Sequence, residues 1–164
     1  MGEGIDVSRV TIFNIVDFRY IENSARISNS VVSLHNYQGD ALKTYRIGDA
    51  TGIEAFDINF AGEIGVLITN APTPAPTNTP TRIPTFDATL IWRVRVQLEG
   101  RNFLHMSEVE VYDQNGVNRA LNKPASQSST YTYDYNGKTV TVDASYAVDG
   151  NWETSSHTNA DNGK

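Results

Sequence analysis

The stretch Ala147 to Thr158, AVDGNWETSSHT, gathers two carboxylates, a glycine, an amide, several hydroxyls and an imidazole into one short run. Asp149-Gly150-Asn151 is a tight-turn signal, because glycine tolerates positive φ and Asx side chains bond their own backbone. A plain turn accounts for that much. The oxygens also have a chemical use. Ca2+ takes about six to eight oxygens from carboxylates, hydroxyls and carbonyls. A tight turn points successive carbonyls inward, Asp149 brings negative charge, and a second acid from elsewhere in the chain is expected to add to it. The spacing is not that of an EF-hand loop, which needs acids at alternate positions and a closing glutamate.

Catalytic constellations are weaker. Glu108 and Glu110 share a face of an alternating segment, which suits paired-carboxylate catalysis and equally a solvated strand face. No G-x-S-x-G, H-E-x-x-H or Gly-rich phosphate loop occurs, so nucleophilic, zinc-hydrolase and phosphoryl-transfer chemistry have no anchor. There is no cysteine, hence no disulfide or thiolate. The chain is read as a non-enzyme. His35 and His105 fall on strand-like segments without metal-ligand spacing and are expected to be structural.

These residues need a scaffold, and the composition permits one. Of the 164 residues 39% are apolar, enough to bury a core and to argue against wholesale disorder. The net charge of −6 repels phosphate backbones and anionic lipid, so nucleic acid and membrane surfaces are poor partners. No apolar run is long enough to span a bilayer. The first residues, MGEGIDVSRV, have neither a basic region nor an apolar one and do not read as a signal peptide; a processed chain or a fragment is the expectation.

The apolar period is two. RVRVQL sets Val94, Val96 and Leu98 against Arg93, Arg95 and Gln97. SEVEVY alternates through Val109 and Val111, TVTV through Val140 and Val142, and FDINF aligns Phe56, Ile58 and Phe60. VTIFNIV and SVVSL are short and β-branched. Turn signals separate the runs, and TYTYDYNGKTVTV reads as a hairpin with Asn136-Gly137 in a type I′ turn. Short alternating strands at this spacing predict an all-β, antiparallel β-sandwich or barrel. Thr69 to Asp87 holds five of the six prolines and should be an extended polyproline II spacer, of the kind that carries O-linked sugar on secreted proteins. The division is therefore 1–69, a linker 70–89, and 90–164.

A resemblance sharpens this reading. RALNKPASQSSTY, followed by ASYAVDGNWETSSHTN, resembles the opening of a fucolectin-type domain, the F5/8 type C, discoidin-like jelly roll, whose pattern runs N-x-A-x-x-K-P-A-x-Q-S-S, then A-x-D-G-N, then His-Thr. RVRVQLEGRNFLHMSEVEVYD is similar to the family's closing hairpin, and VSRVTIFNIVDFRYIENSARISNSVVSL to its middle strands. The halves stand in permuted order, as in a back half and a front half cut from tandem repeats. The family's Trp-Trp strand, expected after NADNGK, is not reached.

The resemblance implies one Ca2+, held by the carboxylate of Asp149, the carbonyls of Tyr146 and Asn151, a hydroxyl from Ser155 or Thr154, and Glu108 as the second acid with the Ser107 carbonyl. It implies a fucose site in which His157 and Arg26 donate to the sugar and Asp17 orients Arg26. Ile15 stands where the family has another arginine, and the gap from Asp17 to Arg26 is longer than the family's. Two functions follow as expectations. One is a calcium-stabilised carbohydrate-binding module, a fucose-type lectin of an extracellular or cell-surface multi-repeat protein, binding glycans that include fucosylated ones. The other is a structural or cell-adhesion repeat that keeps the fold and calcium but has lost sugar binding. Strand exchange or self-association with neighbouring repeats is expected in either case.

Overall fold

The computed structural model describes residues 4–15, 25–60 and 89–159. The Pro/Thr segment up to residue 88 and Asp17 lie outside the described residues. The fold is all-β and antiparallel. Its strands are β1 (Val7–Asn14), β2 (Ser30–His35), β3 (Ala41–Arg46), β4 (Ala55–Asn59), β5 (Arg93–Leu98), β6 (His105–Asp113), β7 (Tyr131–Tyr135), β8 (Lys138–Val142) and β9 (Ser156–His157).

Two sheets form a sandwich. One has the order β4-β1-β6-β9 and the other β3-β2-β5. Each sheet draws strands from both sides of the Pro/Thr segment: β1 pairs with β4 and β6, and β2 with β3 and β5. The two segments thus share one core. Val10, Ile12 and Ile58 from the first sheet share one buried cluster with Val32 and Leu34 from the second, and Ile27 and Ile47 belong to it too. Burying each such side chain contributes about 1.5–3 kcal/mol, so this interface dominates the stability.

The period-two reading holds in β4, β5 and β8. In β5 the Arg93, Arg95 and Gln97 face is exposed while Val94 and Val96 pack toward the core. Phe56, Ile58 and Phe60 lie together on or in the core. β7 and β8 form a separate two-stranded hairpin, closed by Asn136 at φ 51° and Gly137 at φ 73°. Positive φ at both positions is the type I′ signature. No helix among the described residues is long and apolar enough to cross a membrane.

One irregularity matters for the site. Val10 faces Val111 and Ile12 faces Val109, but the register slips beyond Phe13 and Glu108, so that Asn14 pairs with Met106. Ser107 is the extra residue of this bulge. It re-phases β6: Val109 and Val111 point into the core, Glu108 points out of the opposite face, and Met106 returns to the core.

Candidate functional site

The outer face of β6 carries Glu108 and Glu110, paired with Phe13 and Thr11 of β1. A solvated strand face describes Glu110 only. Glu108 is completely buried, because the 3-10 turn Ala144–Ala147 and the loop after it pack over β6. Trp152 stacks on Phe13 with ring centroids 4.9 Å apart and fastens that loop. The backbone N–H of Gly150 donates to Glu108 Oε1 at 3.1 Å. Gly150 has φ 75°, and a Cβ there would meet Leu121 Cδ1 at 3.0 Å, so glycine is needed for both the turn and the approach.

Glu108 Oε2 is buried and has no partner among the described residues. Burial, followed by repulsion from Asp149 and Glu110, pushes the carboxyl up to about 6. Alongside, the Thr154 hydroxyl lies 2.9 and 3.1 Å from the Asp149 carboxylate oxygens, 2.7 Å from the Asn151 carbonyl and 3.5 Å from the Tyr146 carbonyl. One hydroxyl proton satisfies one acceptor, so the cluster has oxygens in excess of donors. The carboxylates of Asp149 and Glu108, the two carbonyls and the hydroxyl are oxygens of the kind a hard cation takes, and one of them, Glu108 Oε2, has no partner among the described residues. Among the described residues no group of three His, Cys, Asp or Glu side chains could hold a metal; this cluster has two such side chains, and its other oxygens are two carbonyls and a hydroxyl.

The structure therefore brings together Asp149, Asn151, Tyr146 and Glu108. Ser107 sits in the adjoining bulge. Ser155 does not join the cluster: its Oγ lies 3.3 Å from His105 Nε2, and Thr154 supplies the hydroxyl to the loop instead.

On the other side of Ser155 a cavity of about 360 Å³ opens. Arg26 reaches it from just before β2, His105 from the start of β6, His157 from β9, and Tyr131 and Tyr133 from the hairpin. β9 pairs with β6 so that His105 and His157 stand opposite one another. Arg26 Nη1 donates to both imidazoles, at 3.1 Å to His105 Nδ1 and 2.9 Å to His157 Nε2. A guanidinium only donates, so both contacted nitrogens are unprotonated. The ring protons then sit on His157 Nδ1, which donates to the Thr158 carbonyl at 2.7 Å, and on His105 Nε2, toward Ser155. Burial, then His157 and Arg26, lower the His105 pKa to about 3. Burial also lowers that of His157, with Arg26 adding to it against a raising contribution from the Thr158 hydrogen bond.

Arg26 and His157, expected in one site, do meet. His157 is spent on Arg26 and Thr158, however, and positions Arg26. His105, expected to be structural, shares that task; His35 is bonded to Ser33 and the Gly39 carbonyl, away from the cavity. Phe103 lies under the guanidinium at 5.1 Å from its Cζ. The motif residues earn their places structurally. Gln127 Nε2 donates to the carbonyls of Val142 and His157, Asn118 Oδ1 accepts from Val111 and Ala120, and the Thr158 backbone N–H and side-chain Oγ1 pin β9 to Leu104.

Comparison with protein-family models, curated proteins and solved structures finds no match.

Proposed function

We propose that the chain is a carbohydrate-binding module, stabilised by Ca2+ and working outside the cell. The observation that carries the reading is the cavity itself. A half-buried guanidinium, held by two imidazoles, faces a space rimmed by Phe103, Tyr131 and Tyr133. Polar donors beside aromatic faces suit a sugar, whose hydroxyls accept hydrogen bonds and whose C–H faces stack on rings. Among the described residues only Nη1 of Arg26 is engaged, which leaves the donors of Nη2 and Nε to meet a ligand.

Ca2+ would be held by Asp149, Glu108, the Tyr146 and Asn151 carbonyls and Thr154. When bound it neutralises the two carboxylates and fixes the loop. Ser155 and Ser156 lead from that loop directly into β9, so its position sets that of His157 and, through it, Arg26.

A second reading, the structural or adhesive repeat without sugar binding, draws on the engagement of both His157 ring nitrogens within the protein and on Ile15. A glycan array probed with the folded chain, with calcium and with chelator, separates the two. Calcium-dependent retention of any glycan supports the module; silence from a folded, calcium-loaded chain supports the repeat.

A further inference from the structure

Among the described residues the cavity has an unbalanced charge. Its described lining contains no Asp or Glu, and Arg26 makes no ion pair among the described residues. Its Nη1 bonds go to imidazoles, each of which must present an unprotonated nitrogen to a group that only donates, so both rings are neutral acceptors. A desolvated cation without an anion is costly, and the Phe103 face offsets only part of that cost. Guanidinium presents a planar fork that matches an oxyanion, and charge-assisted bonds of that kind are about twice as strong as neutral ones.

Resting on the reading of this cavity as a sugar site, we propose that its ligand is a sugar bearing one acidic group, a carboxylate or a sulfate ester, with the anionic oxygens on the Arg26 fork and the ring against Tyr131 and Tyr133. The acidic group is single because the chain as a whole carries −6. One local positive charge in an acidic protein selects an isolated anion within an otherwise neutral glycan and repels a polyanion.

Calorimetry on the whole chain in calcium tests this with matched pairs: methyl glucuronide against methyl glucoside, methyl galacturonide against methyl galactoside, a sialoside against its methyl ester, and 3-sulfogalactoside against galactoside. At least one acidic member should bind about tenfold or more tightly than its neutral partner. The carboxylate and sulfate arms identify which acid it is. That advantage should shrink as salt rises from about 0.05 to 0.5 M. It should vanish in Arg26→Gln and persist in part in Arg26→Lys. The ester and salt comparisons need only the wild type, so they stand even where Arg26→Gln fails to fold. Equal or tighter binding of the neutral partners overturns the inference and leaves the sugar site intact. Tighter binding of heparin than of any single acidic sugar also overturns it. Failure of every sugar in the panel, neutral and acidic, sinks both readings.

Discussion

Replacing Glu108 with Gln should make the calcium-free chain more stable and make it indifferent to calcium. Glu108 has no exposed surface, and its Oε2 is without a partner among the described residues. Its carboxyl is raised from 4.5 to about 6 by burial and by neighbouring acids. A raised carboxyl binds its proton more tightly in the folded state. Its stabilising contribution is therefore complete below pH 4.5 and is lost as pH rises through 6. At pH 7.5 without calcium the ionised group costs roughly 2 kcal/mol. Gln keeps the acceptor for the Gly150 N–H and replaces the orphan oxygen with a donor beside an acceptor-rich loop. Thermal melts in chelator should show Glu108→Gln above the wild type by about 5 °C. A hundredfold excess of calcium over Kd stabilises by about 2.7 kcal/mol, so calcium should lift the wild type past the variant. If Glu108→Gln melts lower than the wild type in chelator, or keeps the full calcium shift, the argument that this carboxylate awaits a cation is refuted.

Three further outcomes follow from the same geometry. Asp149→Ala should abolish the calcium shift in melting temperature while leaving the chelator value within about 3 °C of the wild type; a retained shift places the ion elsewhere. In the Glu108→Gln background, stability should fall on acidification from pH 6.5 toward 3, by up to about 1.4 kcal/mol per pH unit. This is because the depressed His105 must take a proton on unfolding, and urea titrations of that variant with and without His105→Asn read the slope directly. Tyr131→Ala should weaken sugar binding by about threefold to tenfold with little change in melting temperature, since Tyr131 is 37% exposed; calorimetry and a thermal melt check the two halves of that statement.

The strands were legible because alternation is local. Val94 and Val96 against Arg93 and Arg95, or the Asn136-Gly137 turn, are decided by neighbours in sequence. The loop oxygens were legible for the same reason, since Asp149, Asn151 and Thr154 lie within one turn of chain. What lay beyond reach is non-local. The Ser107 bulge exists only in the pairing of β6 with β1, and it leaves Glu108 on the outer face, where the loop buries it. Alternation alone makes Glu108 and Glu110 equivalent. His105 reads as a strand residue until β9 is laid beside β6 and sets His157 opposite it. The contact of Arg26 with His157 spans 131 positions, a separation no periodicity encodes.

The account turns on Arg26 as the group that meets the sugar. Its guanidinium 15N–1H resonances, followed by NMR while the tightest-binding sugar from the array is added to the calcium-loaded chain, test that directly. The account predicts that the Arg26 Nε–H signal moves and exchanges more slowly with solvent, together with shifts of the His105 and His157 rings, saturating at the calorimetric affinity. A sugar that binds at that affinity while the Arg26 signals stay fixed contradicts it.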